Sequence, residues 1–293
     1  MCATCGCSGA AVARLYPADW RDEGSGRDRD RGRAARGHDH EHDHGGHDHG
    51  GHEHGGHEHG DDGAIMWPSA DTGDERTIRL QQKVLAKNDR RAEANRDWLR
   101  RRGVLAINLM SSPGAGKTTL LERTARELGD KMAITVIEGD QAASLDAKRI
   151  RSAGCEVVQI NTGAGCHLDA EMVAEGLRML APPSGSVVMI ENVGNLVCPS
   201  LFDLGEEARV VLASVTEGDD KPLKYPHMFR RADLILVSKT DLLPYVDFDS
   251  RRHASDVKKT SPDALMLQVS AATGAGMQEW YDWLRRRTPA PHE

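Results

Sequence analysis

Residues 111–118, which read SSPGAGKT, constrain the fold of this chain more than any other segment. They match the phosphate-binding pattern GxxxxGKS/T, except that Ser111 stands in place of the first glycine. An apolar run at 104–110 precedes them, and a helical pattern at 118–128 follows them. A strand, a glycine-rich loop and a helix in this order favour a phosphate-binding loop over an ordinary strand-to-helix turn.

The residue types in this loop suit the phosphates of a nucleotide. Glycines allow backbone N–H groups to face the phosphate oxygens, the Lys117 ammonium group can reach the β- and γ-phosphates, and the Thr118 hydroxyl can ligate magnesium. The residues that we predict to contact the nucleotide here are Ser112, Gly114, Ala115, Gly116, Lys117, Thr118 and Thr119.

Short apolar runs and helical patterns alternate through the rest of the chain. We predict further strands at 133–137, 156–160, 187–190, 210–215, 234–237 and 265–269, with helices at 142–152, 168–180 and 277–287. Continuous apolar strands separated by helices are typical of a mostly parallel sheet that is covered by helices on both faces. The predicted fold class is therefore α/β.

Two later segments favour guanine as the base. In SKTD, residues 238–241, the Asp241 carboxylate can accept hydrogen bonds from the guanine N1–H and exocyclic amine, and the Lys239 stem can cover the base. Ser238 stands where Asn is usual. Ser270 and Ala271 follow a later strand, as a second base-contacting loop would. An ATP-using kinase is the alternative for a phosphate-binding loop alone.

A nucleoside triphosphate site also requires groups that hold magnesium and contact the γ-phosphate. Asp140 in EGD is a candidate magnesium ligand, and Glu191 in ENVG is a second candidate acid. The N–H of Gly194 can contact the γ-phosphate. Together with Lys117, these two acids form the predicted catalytic set, although solvated acids at strand ends are the alternative.

Composition divides the chain into three parts. Residues 1–70 hold 10 of the 14 histidines and carry 7 Lys+Arg against 13 Asp+Glu, so most of the net charge of −7 lies there. We predict a disordered tail at 1–70, an amphipathic helical lead-in at 71–102 and a GTPase domain at 103–293.

The same composition excludes several classes of protein. There is no basic excess for binding nucleic acid non-specifically, and no apolar run approaches the 18 residues of a membrane-spanning helix. A secretory signal is not recognisable, and six scattered cysteines do not form a disulfide framework. These features predict a cytoplasmic protein with thiols available for metals.

The tail contains two candidate metal-binding segments. Cys2, Cys5 and Cys7 form Cys-x-x-Cys-Gly-Cys, in which three thiolates can reach one nickel or zinc ion. The histidine tract at 38–59 can bind divalent ions weakly at several places, and a solvated acidic linker is the alternative interpretation.

A third candidate set is internal. Cys166 and His167 follow one predicted strand and Cys198 follows another, so both loops leave the sheet at the edge that carries the phosphate-binding loop. Three ligands make an incomplete metal site unless a two-fold dimer shares the ion. Buried structural cysteines would have the same spacing.

Taken together, SSPGAGKTTLLE, IEGDQ, NTGAGCHLDA, ENVGNLVCP, SVTEGDDKPLKYPHMF and KTDLLPY resemble the motifs of the HypB family, the nickel-incorporation GTPases of hydrogenase maturation, over residues 75–287. Ser111 belongs to that family's own phosphate-loop variant. The resemblance implies a SIMIBI-type P-loop NTPase that hydrolyses GTP slowly with magnesium and dimerises when GTP is bound.

The resemblance also implies roles for the cysteines. Cys2, Cys5 and Cys7 match a tight nickel site, and Cys166, His167 and Cys198 match a weaker nickel or zinc site at the dimer interface. Nickel would pass to a HypA-type chaperone and on to the hydrogenase large subunit. Two alternatives remain: a nickel store, and a urease accessory GTPase, whose metal motif is Cys-Pro-His.

Overall fold

The computed structural model describes residues 14–16, 75–141 and 145–289. Within them eight strands form one sheet: β1 (Arg14–Tyr16), β2 (Leu105–Ser111), β3 (Ile134–Asp140), β4 (Glu156–Asn161), β5 (Val187–Glu191), β6 (Ala208–Ser214), β7 (Leu234–Ser238) and β8 (Leu265–Gln268). The order across the sheet is β1-β4-β3-β5-β2-β6-β7-β8. Strands β2 to β8 are all parallel, and β1 is antiparallel to β4. The predicted mostly parallel sheet is confirmed.

Helices cover both faces of this sheet. In the described residues they are α1 (Glu75–Arg101), α2 (Lys117–Leu128), α3 (Leu145–Ser152), α4 (Ala170–Leu180), α5 (Lys221–Lys224), α6 (Pro226–Arg230), α7 (Ser250–Thr260) and α8 (Met277–Arg287). Alternate residues of β2 point to opposite faces. Leu105 shares a buried cluster with Leu121 of α2 and Trp280 of α8, whereas Ala106 shares another with Leu99 of α1. The sheet therefore has an apolar core on each side.

Most elements occur where the sequence predicts them, and the differences have local causes. Strand β3 continues through Glu138 to Asp140 because its polar end still pairs with β4. Helix α4 begins at Ala170, since the Asp169 side chain caps it by accepting a hydrogen bond from the Met172 N–H at 2.8 Å. Helix α7 is absent from the sequence prediction because Val257 is the one apolar side chain among its three buried residues.

The predicted tail and lead-in are described in part. Residues 14–16 form strand β1 rather than disordered chain, because the exposed edge of β4 offers backbone hydrogen-bonding groups to pair with. The lead-in contains the single helix α1. The cysteines at positions 2, 5 and 7 and the histidine tract lie outside the described residues, as do residues 142–144 of a predicted helix. No described helix has both the length and the apolar character that crossing a membrane requires.

The parallel sheet determines where functional groups can meet. The carboxyl ends of β2, β3, β4, β5 and β7 lie at one edge, and the loops that leave them carry the predicted phosphate, magnesium, thiol and base motifs. Open α/β sheets bind ligands at this edge.

Candidate functional site

The phosphate-binding loop joins β2 to α2 and has the backbone that its glycines permit. Gly114 and Gly116 have φ values of +74° and +101°, in the left-handed region that favours glycine. The Lys117 Nζ donates a hydrogen bond to the Ser111 Oγ at 2.9 Å. Ser111 thus holds the lysine at the mouth of the loop, a contact that the usual glycine could not make.

Carboxylates surround the start of α2. The Thr118 Oγ1 donates a hydrogen bond to the Glu191 Oε1 at 2.7 Å, so the strand end of β5 is joined directly to the phosphate-binding loop. Asp140 lines the same cavity, which has a volume of about 440 Å³. The Glu191 Oε2 is buried and has no hydrogen-bond partner among the described residues. This unpaired oxygen beside a hydroxyl and a second acid fits an oxygen-preferring cation such as Mg²⁺.

Burial changes the acid–base behaviour of this cluster. It raises the pKa of Glu191 to about 7, although Lys117 and Thr118 oppose the shift. Burial, followed by the charge of Glu191, raises the pKa of Glu138 to about 9. Burial lowers the pKa of Lys117. The groups at the start of α2 are therefore buried enough for interactions between their charges to be strong.

The base motif is tied to the phosphate-binding loop. The Ser238 Oγ donates a hydrogen bond to the Ala115 carbonyl at 2.8 Å, so the shorter serine still makes an orienting bond where Asn is usual. The Lys239 Nζ donates to the Gly114 carbonyl at 2.7 Å. Because Lys239 has a φ of +59°, its backbone adopts a left-handed turn that directs its side chain along the loop.

The two segments that are predicted to contact the base also meet each other. The Ser270 Oγ donates a hydrogen bond to the Asp241 Oδ1 at 2.5 Å. The Ala271 carbonyl accepts one from the Arg123 Nη1 of α2 at 3.0 Å. The structure thus brings Lys239, Asp241, Ser270 and Ala271 to one side of the phosphate-binding loop.

Several cavity residues did not emerge from the sequence motifs as candidates. Glu138 and Asn192 line the cavity beside predicted residues, and the spacing of the motifs gives no sign that they are buried. The Ser112 Oγ donates to the Glu217 Oε2 at 2.8 Å, which ties the loop after β6 to the phosphate-binding loop. Gly194 packs so closely on Pro113 that an added Cβ would lie 2.9 Å from its Cα.

The internal thiols and the histidine do come together. One ligand atom each from Cys166, His167 and Cys198 lies within 4.8 Å of the other two. Two sulfurs on one ion lie at most about 4.6 Å apart, twice a metal–sulfur distance of about 2.3 Å. The three ligand atoms therefore lie near the separation that one metal ion requires.

His167 is held in a form suited to a metal. Its ring stacks on Phe202 with 3.9 Å between centroids. Burial lowers the pKa of His167, and the neutral imidazole is the form that ligates metals. The Cys166 Sγ lies 3.7 Å from the His167 Nδ1, and Cys198 is buried at the start of a short 3₁₀ turn. This donor set of two thiols and one imidazole suits nickel or zinc.

The nucleotide cavity and the metal cluster share one segment of chain. The Asn192 Oδ1 accepts a hydrogen bond at 3.1 Å from the N–H of Leu168, the residue after His167. The Asn195 Oδ1 accepts from the Val197 N–H at 2.8 Å and from the Cys198 N–H at 3.4 Å. Residues 191–198 therefore start at Glu191, which contacts Thr118, and end at Cys198, which is a candidate metal ligand.

Comparisons with known proteins identify the family of this chain. The family described as CobW/HypB/UreG, nucleotide-binding domain, matches residues 105–268. The hydrogenase maturation factor HypB of Rhizobium leguminosarum bv. viciae is 54% identical over 210 residues, which cover 72% of this chain and 70% of the relative.

Two solved structures are also similar. HypB from Archaeoglobus fulgidus has a TM-score of 0.66 and 43% identity, and the match covers 70% of this chain and 100% of that one. HypB from Helicobacter pylori in complex with nickel has a TM-score of 0.65 and 36% identity, covering 71% and 99%. The predicted P-loop NTPase fold is confirmed, and the chain belongs to the HypB family of hydrogenase maturation factors.

Proposed function

We propose that this chain is a GTPase that binds nickel and delivers it for the maturation of nickel–iron hydrogenase. The observation that carries the proposal is the segment 191–198, which contacts the phosphate-binding loop at Glu191 and bears Cys198 of the metal cluster at its other end. Family membership supports GTP hydrolysis and a role in hydrogenase maturation, and the nickel complex of the Helicobacter pylori relative supports nickel as the cargo.

The nucleotide chemistry follows from the residues of the cavity. Lys117 stabilises the charge that develops on the β- and γ-phosphates as the γ-phosphoryl group passes to water. Thr118, Asp140 and Glu191 would hold Mg²⁺, which neutralises further phosphate charge when bound. The backbone N–H groups of the loop hold the phosphates in line for the reaction, and Asp241 selects guanine.

Nickel binds in this proposal to Cys166, His167 and Cys198. Zn²⁺ is also compatible with two thiolates and an imidazole. Three ligands leave one or more coordination positions open, and a two-fold homodimer that forms with GTP would complete the site with the same residues of a second subunit. Val197 beside Cys198 is 52% exposed, which makes it available for contact with such a partner.

Nucleotide state controls metal affinity through the shared segment. Contact between the γ-phosphate and Gly194 would shift residues 192–195, because Gly194 lies against Pro113 of the phosphate-binding loop. Asn192 and Asn195 hold the backbone beside His167 and at Cys198, so the shift would change the separation of the ligands. Hydrolysis would then release nickel at a defined point of the cycle.

Two partners follow from delivery. Nickel would pass to a HypA-type chaperone and then to the hydrogenase large subunit, directly or through further proteins.

A urease accessory GTPase is the less favoured interpretation, because residues 165–167 read Gly-Cys-His rather than Cys-Pro-His and Cys198 is added to the cluster. In this proposal the tail binds nickel through the thiolates of Cys2, Cys5 and Cys7.

A nickel store is the alternative that experiment must separate from delivery. Deletion of residues 1–63 removes the cysteine head and the histidine tract. We expect the shortened chain to keep its GTPase rate within about twofold, since no predicted nucleotide contact is lost. It should also support hydrogenase activity, when nickel is plentiful, in cells that otherwise lack this chain. Loss of hydrogenase activity at every nickel concentration, with GTPase activity intact, would support storage instead.

The control for this deletion concerns the edge of the sheet. Deleting 1–63 also removes β1, which pairs with β4 next to the loop that leads to Cys166. Deletion of 21–63 in a Cys2→Ala, Cys5→Ala, Cys7→Ala chain keeps β1 and removes the same metal ligands. Both deletions should behave alike if metal loading by the tail is the relevant difference.

A further inference from the structure

The buried face of helix α1 carries two asparagines where apolar residues would be expected. Asn88 and Asn95 are seven residues apart, so they lie on the same face two turns apart, with the fully buried Ala92 between them. They are only 7% and 5% exposed. Buried amides at core positions of a helix need hydrogen-bond partners, and the identity of those partners indicates what the helix holds.

Each asparagine joins the same two segments. The Asn88 Oδ1 accepts from the Ala170 N–H at 2.9 Å, and its Nδ2 donates to the Asp203 carbonyl at 2.8 Å. The Asn95 Nδ2 donates to the Ala170 carbonyl at 2.8 Å and to the Leu204 carbonyl at 3.0 Å. Four hydrogen bonds therefore fix the start of α4 relative to residues 203–204.

These two segments are the ones that hold the candidate metal ligands. Ala170 lies three residues after His167, and Asp203 directly follows Phe202, whose ring stacks on His167. Cys198 begins the 3₁₀ turn that leads into the same segment. The asparagines of α1 therefore connect the segment that follows the Cys166–His167 loop with the segment that follows the Cys198 turn.

Two further contacts bring α1 close to the second segment. The Arg96 Nη2 donates hydrogen bonds to both oxygens of the Asp203 carboxylate, each at 2.8 Å. Gly205 has a φ of +88°, and an added Cβ would lie 2.5 Å from the Ala92 carbonyl. Helix α1 therefore packs directly on the backbone at Gly205 and restrains the position of this segment.

We propose that α1 positions the metal ligands, with Asn88 and Asn95 holding the two ligand-bearing loops at the separation that one metal ion requires. The proposal rests on the nickel site proposed above. It makes α1, which lies before the matched family domain at 105–268, part of the metal site rather than a linker. Partners that hydrogen-bond directly to metal ligands typically change metal affinity by about 10- to 100-fold when they are removed, and we take this range for the two asparagines.

The test uses full-length chain in which Cys2→Ala, Cys5→Ala and Cys7→Ala remove the thiolates of the tail. Nickel is titrated without oxygen, and the thiolate-to-nickel charge-transfer band reports cysteine ligation alone. Asn88→Ala and Asn95→Ala are compared with Arg91→Ala, which removes an exposed ion pair between α1 and Glu171 of α4 and leaves both loops untouched. A fourth variant, Arg96→Ala, is included in case the two buried substitutions reduce folding. It changes a partly exposed residue and removes the ion pair that holds Asp203.

We expect nickel to bind about 10- to 100-fold more weakly in Asn88→Ala and Asn95→Ala, and more weakly in Arg96→Ala, with Arg91→Ala equal to the parent. GTPase activity should be the same in all four, because none touches the nucleotide cavity. Parental nickel affinity in the asparagine and Arg96 variants would overturn the role of α1. A parent chain without a charge-transfer band would instead overturn the nickel site itself.

Discussion

Replacing Asp241 by Asn is expected to lower kcat/KM for GTP by roughly 10²- to 10³-fold and to create activity toward xanthosine triphosphate. The carboxylate accepts from both the N1–H and the exocyclic amine of guanine, whereas an amide presents its NH₂ group to that amine. Hydrogen bonds to a charged group contribute about 1.5–3 kcal/mol each. Xanthine has an oxygen in place of the amine, and this oxygen accepts a hydrogen bond from the amide group that the substitution introduces.

The measurement is steady-state hydrolysis of GTP, xanthosine triphosphate and ATP by the parent and by Asp241→Asn. The substitution preserves size and leaves an oxygen to accept the hydrogen bond from Ser270, so the loop itself should remain in place. ATP should be a poor substrate for both proteins. Unchanged preference for GTP in the variant would remove Asp241 from base recognition, and efficient use of ATP by the parent would favour the kinase interpretation.

Replacing Cys198 by Ala is expected to weaken nickel binding at the internal cluster by more than about 100-fold. The substitution removes a direct ligand, whereas removing only a hydrogen-bond partner of a ligand already lowers metal affinity by about 10- to 100-fold. Nickel affinity is again followed by the thiolate charge-transfer band in chain that lacks the cysteines of the tail. The GTPase rate should persist, because the Thr118–Glu191 contact does not involve the thiol.

Cys155 supplies a matched control for this substitution. It is as deeply buried as Cys198, but its Sγ donates to the Ile134 carbonyl at 3.0 Å, and it is absent from the metal cluster. Burial raises the pKa of the Cys155 thiol to about 12, so it stays protonated. Cys155→Ala should therefore bind nickel as the parent does. Equal affinities in Cys155→Ala and Cys198→Ala would contradict the assignment of Cys198 as a ligand.

The sequence predicts best those features that depend on local spacing. The phosphate-binding loop is recognisable because Gly116, Lys117 and Thr118 come between a strand pattern and a helix pattern. In the structure the loop follows β2, and helix α2 begins at Lys117. The meeting of Cys166, His167 and Cys198 is also predictable, since loops after parallel strands leave the sheet at one edge. Both predictions need only the order of elements along the chain.

Features that depend on packing between distant segments are not predictable in this way. The bond from Ser238 to the Ala115 carbonyl joins residues 123 positions apart, and the raised pKa of Glu138 comes from burial that no motif records. The asparagines of α1 look like ordinary polar residues of an exposed helix until their partners, 75 to 115 residues away, are known. The pairing of strand β1 with the edge of β4 likewise cannot be predicted from the three residues of β1.

Coupling between nucleotide and metal is most directly tested by loading the chain with nickel, without oxygen, and measuring release to a chelator with GTP, a non-hydrolysable GTP analogue and GDP. The cysteines of the tail are replaced by Ala so that the internal cluster alone is observed. A coupling free energy of the usual size predicts that nickel affinity differs by about 5- to 150-fold between the analogue and GDP, and that GTP follows the analogue until it is hydrolysed. Identical release in all three states would contradict a gated delivery site.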